Sequence, residues 1–321
     1  MIHAIRVHEH GGPEKLVWEE IPKPGPKPGE ALVRHEAVGL NYIDVYFRTG
    51  LYKAPSMPVI IGMEGAGVVE AVGQGVSDVK PGDRVAYAGA LGAYAEARSV
   101  PAEKLVKIPD GVDATQAAAM MLQGMTAQFL IRRCHRVEKG ETILVHAAAG
   151  GVGLILCQWA KHLGATVIGV VSTPEKAELV RARGAEHALL TSEDIPARVK
   201  QITGGAMVPV VYDSVGRDTF MTSLDCLKPF GLMVSFGNAS GPVPPVPLTA
   251  LKGMLYLTRP SLMPYTARRE DLEATAGELI EMVQSGQVEI RIDQRYPLAE
   301  AAAAHRELES RRTTGSTLLM P

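Results

Sequence analysis

Gly150 and Gly153 stand where a chain can receive a pyrophosphate, at the end of the stretch TILVHAAAGGVG (residues 142–153). Thr142 to Val145 are β-branched or apolar, as in a strand buried on both faces, and Leu154 to Leu163 reads as a helix. Strand, glycine turn and helix in that order form the context of a dinucleotide site. Gly150 can take backbone angles closed to other residues, and Gly153 lets the helix pack closely. The N–H groups of Gly150, Gly151, Val152 and Gly153 are then available to phosphate oxygens. Ala148 stands in place of the first glycine of the G-x-G-x-x-G pattern, and a tight turn in any α/β protein is the plainer reading of the remainder. The end of the following strand bears on which nucleotide binds. It reads Val170, Val171, Ser172, Thr173, without the acid that holds the ribose hydroxyls of NAD. Lys176, one helical turn further, is placed to meet a 2′-phosphate, although beside Glu175 and Glu178 it also reads as a solvated helix residue. The missing acid points to NADPH.

Around that turn the chain divides in two. Residues 1 to 38 hold short alternating segments at Ala4 to His8, Leu16 to Glu20 and Glu30 to Val38, with the proline-rich loop PKPGPKPGE before the last. Val59 to Val72 and Asp83 to Ala88 continue the pattern with glycine corners, which predicts an irregular β-barrel. Ala114 to Cys134 reads as helices leading into a second domain. From Thr142 the rhythm is strand, helix, strand, with strands at Thr166 to Ser172, Pro209 to Asp213, Gly231 to Phe236 and Leu255 to Arg259, and helices at Pro174 to Arg183 and Asp218 to Cys226. That alternation predicts a doubly wound parallel sheet, an α/β Rossmann domain. Arg269 to Gln284 reads as an amphipathic helix, and Ile290 to Pro297 with Leu318 to Met320 as strands returning to the first domain. The expected boundaries are 1–123 with 264–321, and 124–263.

Composition narrows the function. A formal net charge of −2 leaves no electrostatic footprint for nucleic acid or an anionic membrane. The start MIHAIRVHEH lacks the layout of a signal peptide, and no apolar run approaches the ~20 residues of a membrane span. Three widely spaced cysteines, Cys134, Cys157 and Cys226, argue against a disulfide framework, and a cytoplasmic protein is expected.

The segments HGGPE (10–14), GLNYIDVYFRTGLY (39–52), GDRV (82–85), HAAAGGVG (146–153), VVYDSVG (210–216) and ESRRTTG (309–315) together carry a closer likeness. Over essentially its whole length the chain resembles the quinone oxidoreductase, zeta-crystallin-like branch of the medium-chain dehydrogenases/reductases. The resemblance implies a GroES-like barrel for the first domain, NADPH as cofactor and a homodimer. Alcohol dehydrogenases of the superfamily hold a catalytic zinc with a Cys and a His-Glu pair. Asn41 stands at the place of the Cys and Met63 at that of the His, beside Glu64, so no zinc site is expected. Reduction of a simple ketone makes an alkoxide that needs a Lewis acid or proton donor, whereas a reduced quinone carries its charge as a phenolate, whose parent phenol ionises near pH ~10. Loss of zinc therefore fits a quinone or another conjugated carbonyl.

In this light NYIDVYFRTGLY supplies the reaction-site groups. Asn41 and Asp44 suit the nicotinamide carboxamide, the ribose or a water, and Tyr46 and Tyr52 suit quinone oxygens or an aromatic wall. Tyr42 reads equally as a core residue with a tethered hydroxyl. Further cofactor contacts are implied at Phe129, at Ser214 and Val215 after the VVYD strand, at Phe236, Gly237 and Asn238 after the next, and at Arg311, for which a surface residue near Glu307 is an equal reading. Asp213 reads as a strand-end cap and His146 as a satisfied strand histidine. Two alternatives stay open: an NADPH-dependent reductase of enones, enals or enoyl thioesters, in whose relatives a Tyr matching Tyr52 donates the proton, and a non-catalytic NADPH-binding protein of crystallin-like or RNA-binding kind.

Overall fold

The computed structural model describes all 321 residues, and its contacts divide them into two units. The first comprises Met1–Met125, Thr266–Gly277 and Ile290–Pro321; the second comprises Thr126–Tyr265 and Glu278–Glu289. Residues Glu278–Glu289 thus belong by their contacts to the second unit rather than to the returning segment expected from 264 onwards.

In the first unit, β1 (Ile2–Val7) lies between β2 (Leu16–Ile21) and the short β4 (Val59–Ile60) in a three-stranded sheet. The larger sheet is organised on β3 (Glu30–Leu40), whose apolar Ala31, Val33, Val38 and Leu40 are buried. It pairs antiparallel with β5 (Glu64–Val72) and β7 (Ala97–Pro101). Beyond β5 come β6 (Arg84–Ala88) and β8 (Val106–Lys107). The C-terminal strand β16 (Ser316–Met320) pairs with the other edge of β3 and is followed outward by β15 (Ile292–Pro297). Leu40, Ile61, Tyr87, Tyr94, Leu105 and Leu319 are among the side chains of one continuous core.

Between β3 and β4 the residues Tyr42–Thr49 form a helix, α1. The Asp44 carboxylate accepts the N–H of Asn41, and the left-handed Gly50 (φ 82°) ends the helix. Helix α9 (Ala301–Glu309) packs its Ala301 and Ala304 into the core. Helices α2 (Ala114–Phe129) and α8 (Arg269–Gln284) each run from one unit into the other, and the wider turn Leu130–Cys134 extends α2.

The second unit is a six-stranded, wholly parallel sheet in the order β11-β10-β9-β12-β13-β14. Its strands are β9 (Thr142–His146), β10 (Thr166–Val171), β11 (His187–Leu190), β12 (Val208–Asp213), β13 (Leu227–Ser235) and β14 (Tyr256–Thr258). Their connections run through α3 (Gly151–His162), α4 (Pro174–Ala182), α5 (Ile195–Ile202) and α6 (Phe220–Asp225), and the single-turn α7 (Leu262–Tyr265) follows the last strand. The chain reverses direction across the sheet between β9 and β12, the neighbours at which an open α/β sheet binds its ligand. Ile168, Val170, Val211 and Met233 belong to its core.

Candidate active site

The glycine turn closes as the end of a phosphate cradle. Helix α3 begins at Gly151, not at Leu154, so Gly151, Val152 and Gly153 form its first turn, and no side chain caps it. A Cβ on Gly153 would lie 2.5 Å from the Ala147 carbonyl oxygen and 2.7 Å from Ala148 backbone atoms, so only glycine lets the helix start this close to the turn. Gly150 has ordinary extended angles (φ −78°, ψ 172°), and Ala147 carries the left-handed residue (φ 50°); the freedom expected of Gly150 is not used. Ala148, in place of the first glycine, is buried in the turn.

At the end of β10, Ser172 is exposed and the strand itself ends without an acid, while the Glu175 carboxyl of the following helix bonds the Thr173 side chain, which lowers its pKa. Thr173 caps α4, its hydroxyl accepting the Lys176 N–H at 3.3 Å, which brings the Lys176 side chain to the first helical turn. Burial lowers the ammonium pKa of the half-buried Lys176. The cradle and the Lys176 ammonium fit a dinucleotide with a 2′-phosphate, which Gly150 to Gly153 with Ser172, Thr173 and Lys176 would hold.

Across the reversal point, Asp213 ends β12 fully buried. Its carboxylate accepts the N–H groups of Val215 (2.7 Å) and Gly216 (3.1 Å) and the hydroxyls of Thr219 (2.7 Å) and Ser223 (2.8 Å). This one side chain holds the turn that presents Ser214 and Val215. His146, with burial lowering its pKa, meets Ser223 Oγ at 3.0 Å through Nε2, while Nδ1 has no partner, so it is only half satisfied. Phe236, Gly237 and Asn238 follow β13, and Arg259 braces them by donating to the Ser235 carbonyl at 3.0 Å and to the Asn238 carboxamide at 3.1 Å. Phe129, at the end of α2, is buried against Tyr265 with ring centres 5.4 Å apart. Both rings help line a groove of about 520 Å³ in this unit.

The first unit gathers its polar residues around α1. The Asn41 carboxamide donates to Glu64 Oε1 (2.6 Å) and accepts from Gln123 Nε2 (3.1 Å). Asp44 is wholly buried; its Oδ2 accepts from Asn41 N (2.9 Å) and Tyr94 Oη (3.0 Å), and Oδ1 has no partner. Asp44, expected at the nicotinamide or ribose, is thus buried in the interior of the first unit with Oδ2 engaged by two donors. Burial pushes its pKa up to about 7 despite the two donors. Beyond Tyr94 the chain of contacts continues through His305 Nε2 (3.0 Å), then from Arg48 Nη1 to His305 Nδ1 (3.0 Å), and ends at the bidentate Arg48–Glu309 pair (2.8 and 2.9 Å). None of Glu64, Gln123, Tyr94, His305 or Arg48 was singled out as a site residue from sequence. Only Glu64 carried a signal, as the neighbour of Met63 at the place of a zinc ligand.

Tyr42 is tethered, its hydroxyl donating to the Leu308 carbonyl at 3.2 Å. Tyr46 and Tyr52 lie edge to face with centres 5.2 Å apart, and Tyr52 N bonds the Tyr46 carbonyl at 3.0 Å. Phe47 flanks the same Tyr52 ring at 5.9 Å. Arg311 sits past α9 in a left-handed conformation (φ 61°), and Glu307 pairs with Arg312 instead. At the zinc-ligand places, a carboxamide engaged by two side chains, a buried thioether and a doubly hydrogen-bonded carboxyl do not make the three-ligand set a catalytic zinc requires.

Residues 27–110 match the family described as alcohol dehydrogenase GroES-like domain, and residues 151–282 the family described as zinc-binding dehydrogenase. A quinone oxidoreductase of Pseudomonas aeruginosa is 54% identical over the full length of both chains. A crystal structure of Escherichia coli quinone oxidoreductase complexed with NADPH superposes with a TM-score of 0.98 at 49% identity, covering 99% of this chain and 100% of that one. A 2-haloacrylate reductase of a Burkholderia species is 43% identical over 100% of this chain and 99% of its own.

Proposed function

This chain belongs to the quinone oxidoreductase family of the medium-chain dehydrogenases/reductases, and on that premise we propose that it reduces quinones with NADPH and without a metal ion. The observation that carries the reading is the pairing of the Gly153 cradle with a β10 end that holds Lys176 and no acid, in a chain alike end to end to an NADPH-bound quinone oxidoreductase. NADPH, when bound, supplies the hydride. The turn Ala147–Gly150 and the first turn of α3 bind the pyrophosphate through backbone N–H groups, and Lys176 neutralises the 2′-phosphate. Phe129, Ser214, Val215, Phe236, Gly237, Asn238 and Arg311 complete the cofactor contacts. Tyr46 and Tyr52 form an aromatic wall for the acceptor, with Asn41 as a fixed amide beside it. A two-electron reduced quinone is a stabilised phenolate, so these residues have only to orient the ring, and solvent can supply the proton.

The 43% identical 2-haloacrylate reductase favours a second reading, reduction of an activated carbon–carbon double bond, in which a proton must be delivered to carbon. Tyr52→Phe separates the two. For a quinone, loss of one orienting hydroxyl should cost about tenfold at most. For an enone or enoyl thioester that takes its proton from Tyr52, the loss should be about 10²–10⁴-fold. Wild-type rates on both substrate types would show that Tyr52 is not at the reaction site.

The protein also acts as a homodimer joined through the second unit. Phe230, Met254, Tyr256 and Leu257, between 44% and 62% exposed, cluster on and beside β14, the edge strand whose outer side pairs with nothing in this chain. Light scattering at micromolar concentration should give twice the 34.3 kDa chain mass, and a monomer mass would refute the assembly. Three free cysteines suit a reducing cytoplasm, and no helix is long and apolar enough to cross a membrane.

A further inference from the structure

An asparagine at a helix N-terminus ordinarily spends its side chain on the first free N–H groups of the helix. Asn41 does more than that. Asn41 and Asp44 form the capping box that opens α1, and the Asn41 carboxamide is also held from two other elements. Its Nδ2 donates to Glu64 Oε1 on β5 (2.6 Å), and its Oδ1 accepts from Gln123 Nε2 on α2 (3.1 Å). Gln123 Oε1 in turn accepts from Ser316 Oγ on β16 (2.8 Å).

Glu64 Oε1 faces the Asn41 nitrogen and Oε2 the Leu122 N–H, so Glu64 takes a donor on each oxygen and the Asn41 amide is set with its nitrogen towards Glu64. The direction then runs from Gln123 to Asn41 to Glu64, while the single Ser316 proton lies within reach of both Gln123 Oε1 (2.8 Å) and the Ala119 carbonyl (3.0 Å). Glu64 is itself anchored, Oε2 accepting the Leu122 N–H at 2.7 Å, and it occupies space that a Cβ on Gly39 would overlap. Glu64, Gln123, Asn41 and Ser316 are all buried. Burial pushes the Glu64 pKa up to about 8, with Asp44 adding to the rise, so the chain keeps an acid here that an apolar residue of similar size would replace with less desolvation.

We propose that Glu64 and Gln123 are positioning residues that set the Asn41 carboxamide in one orientation, with one N–H left for the reacting partner. This rests on the reading of Asn41 as a reaction-site group. An amide that turned freely would present nitrogen or oxygen at random to a carbonyl, whereas the locked amide presents its N–H in one fixed place.

A double-mutant cycle tests this. Glu64→Gln alone should lower kcat for a quinone by about tenfold or more, since a glutamine has one accepting oxygen and cannot take both the Asn41 and the Leu122 donors. In the Asn41→Ala background the same change should lower kcat less than about twofold, because Glu64 acts only through Asn41. Gln123→Leu, a second variant on the other side of the amide, should behave the same way. In the protein without nucleotide, the Asn41 side-chain amide signal, identified by its loss in Asn41→Ala, should broaden or shift in Glu64→Gln while the thermal midpoint stays within a few degrees of wild type. Additive losses in the cycle, or an unaltered amide signal, would overturn the positioning role. Full activity of Asn41→Ala would overturn the reading beneath it as well, and so tells the two failures apart.

Discussion

Arg48→Met should destabilise the first unit by about 3–5 kcal/mol, the range seen when one partner of a buried ion pair is removed. Arg48 is only 1% exposed and spends its whole guanidinium on neighbours. Nε donates to the Gly11 carbonyl at 3.1 Å, Nη1 to His305 Nδ1, and both terminal nitrogens to Glu309. Methionine fills the stem and satisfies none of these. Glu309, about one-third exposed, can turn to water, which places the result towards the lower end of the range. The fully buried His305 loses a donor that water cannot replace. The same contact sets a pH dependence: burial, with the Arg48 charge beside it, lowers the His305 pKa to about 3 from 6.5. The folded state thus binds fewer protons than the unfolded one, and His305 withdraws stability progressively as pH falls from about 6.5 towards 3. Urea unfolding of wild type and variant at pH 7 measures the loss; a difference below about 1 kcal/mol would mean that water replaces the arginine without penalty.

Lys176→Ala should weaken NADPH binding by roughly tenfold to a hundredfold, corresponding to about 1.5–3 kcal/mol for a charge-assisted contact. NADH affinity should barely change. The substitution is a clean test because Thr173 caps α4 through the backbone N–H of residue 176, which alanine retains. Alanine also favours the helix. Titration of both nucleotides onto wild type and variant measures the two affinities. An equal loss for NADPH and NADH would show that Lys176 supports the fold and does not recognise the phosphate.

Much of the second unit was legible because its signals are local. Strand, glycine turn and helix follow one another within twenty residues, and α8 falls on Arg269–Gln284 as its apolar spacing predicts. The short β11 (His187–Leu190) and the helix after it, α5 (Ile195–Ile202), passed unread. Helix α1 was not foreseen either. Tyr42, Val45, Tyr46, Phe47 and Thr49 favour strands by intrinsic preference, and what makes the helix is the Asp44 contact to Asn41 N and the left-handed Gly50. Helix α9 is hidden in a different way: its alanines fit a helix, but only packing in the core gives it a role.

The candidate site was read from residue type, and type misled where burial decides. Asp44 resembles a ligand-binding acid in sequence and is an interior acceptor in the fold. Contacts such as Tyr94 to His305, 211 residues apart, leave no trace in any window of sequence. Asn41 was visible through its place in a known motif, whereas the Gln123 and Ser316 that orient its amide needed the fold to bring α2 and β16 beside β3.

The identity of the acceptor decides between quinone and alkene reduction. NADPH oxidation should be followed with ortho-quinones, para-quinones, enones and an enoyl thioester side by side, with and without a strong chelator. For a metal-free quinone reductase, kcat/KM for the quinones should be about tenfold or more above that for any conjugated alkene, with a marked preference for NADPH over NADH and no loss of rate with the chelator. Faster turnover of the alkenes, or quinone reduction abolished by the chelator and restored by zinc, would contradict that reading.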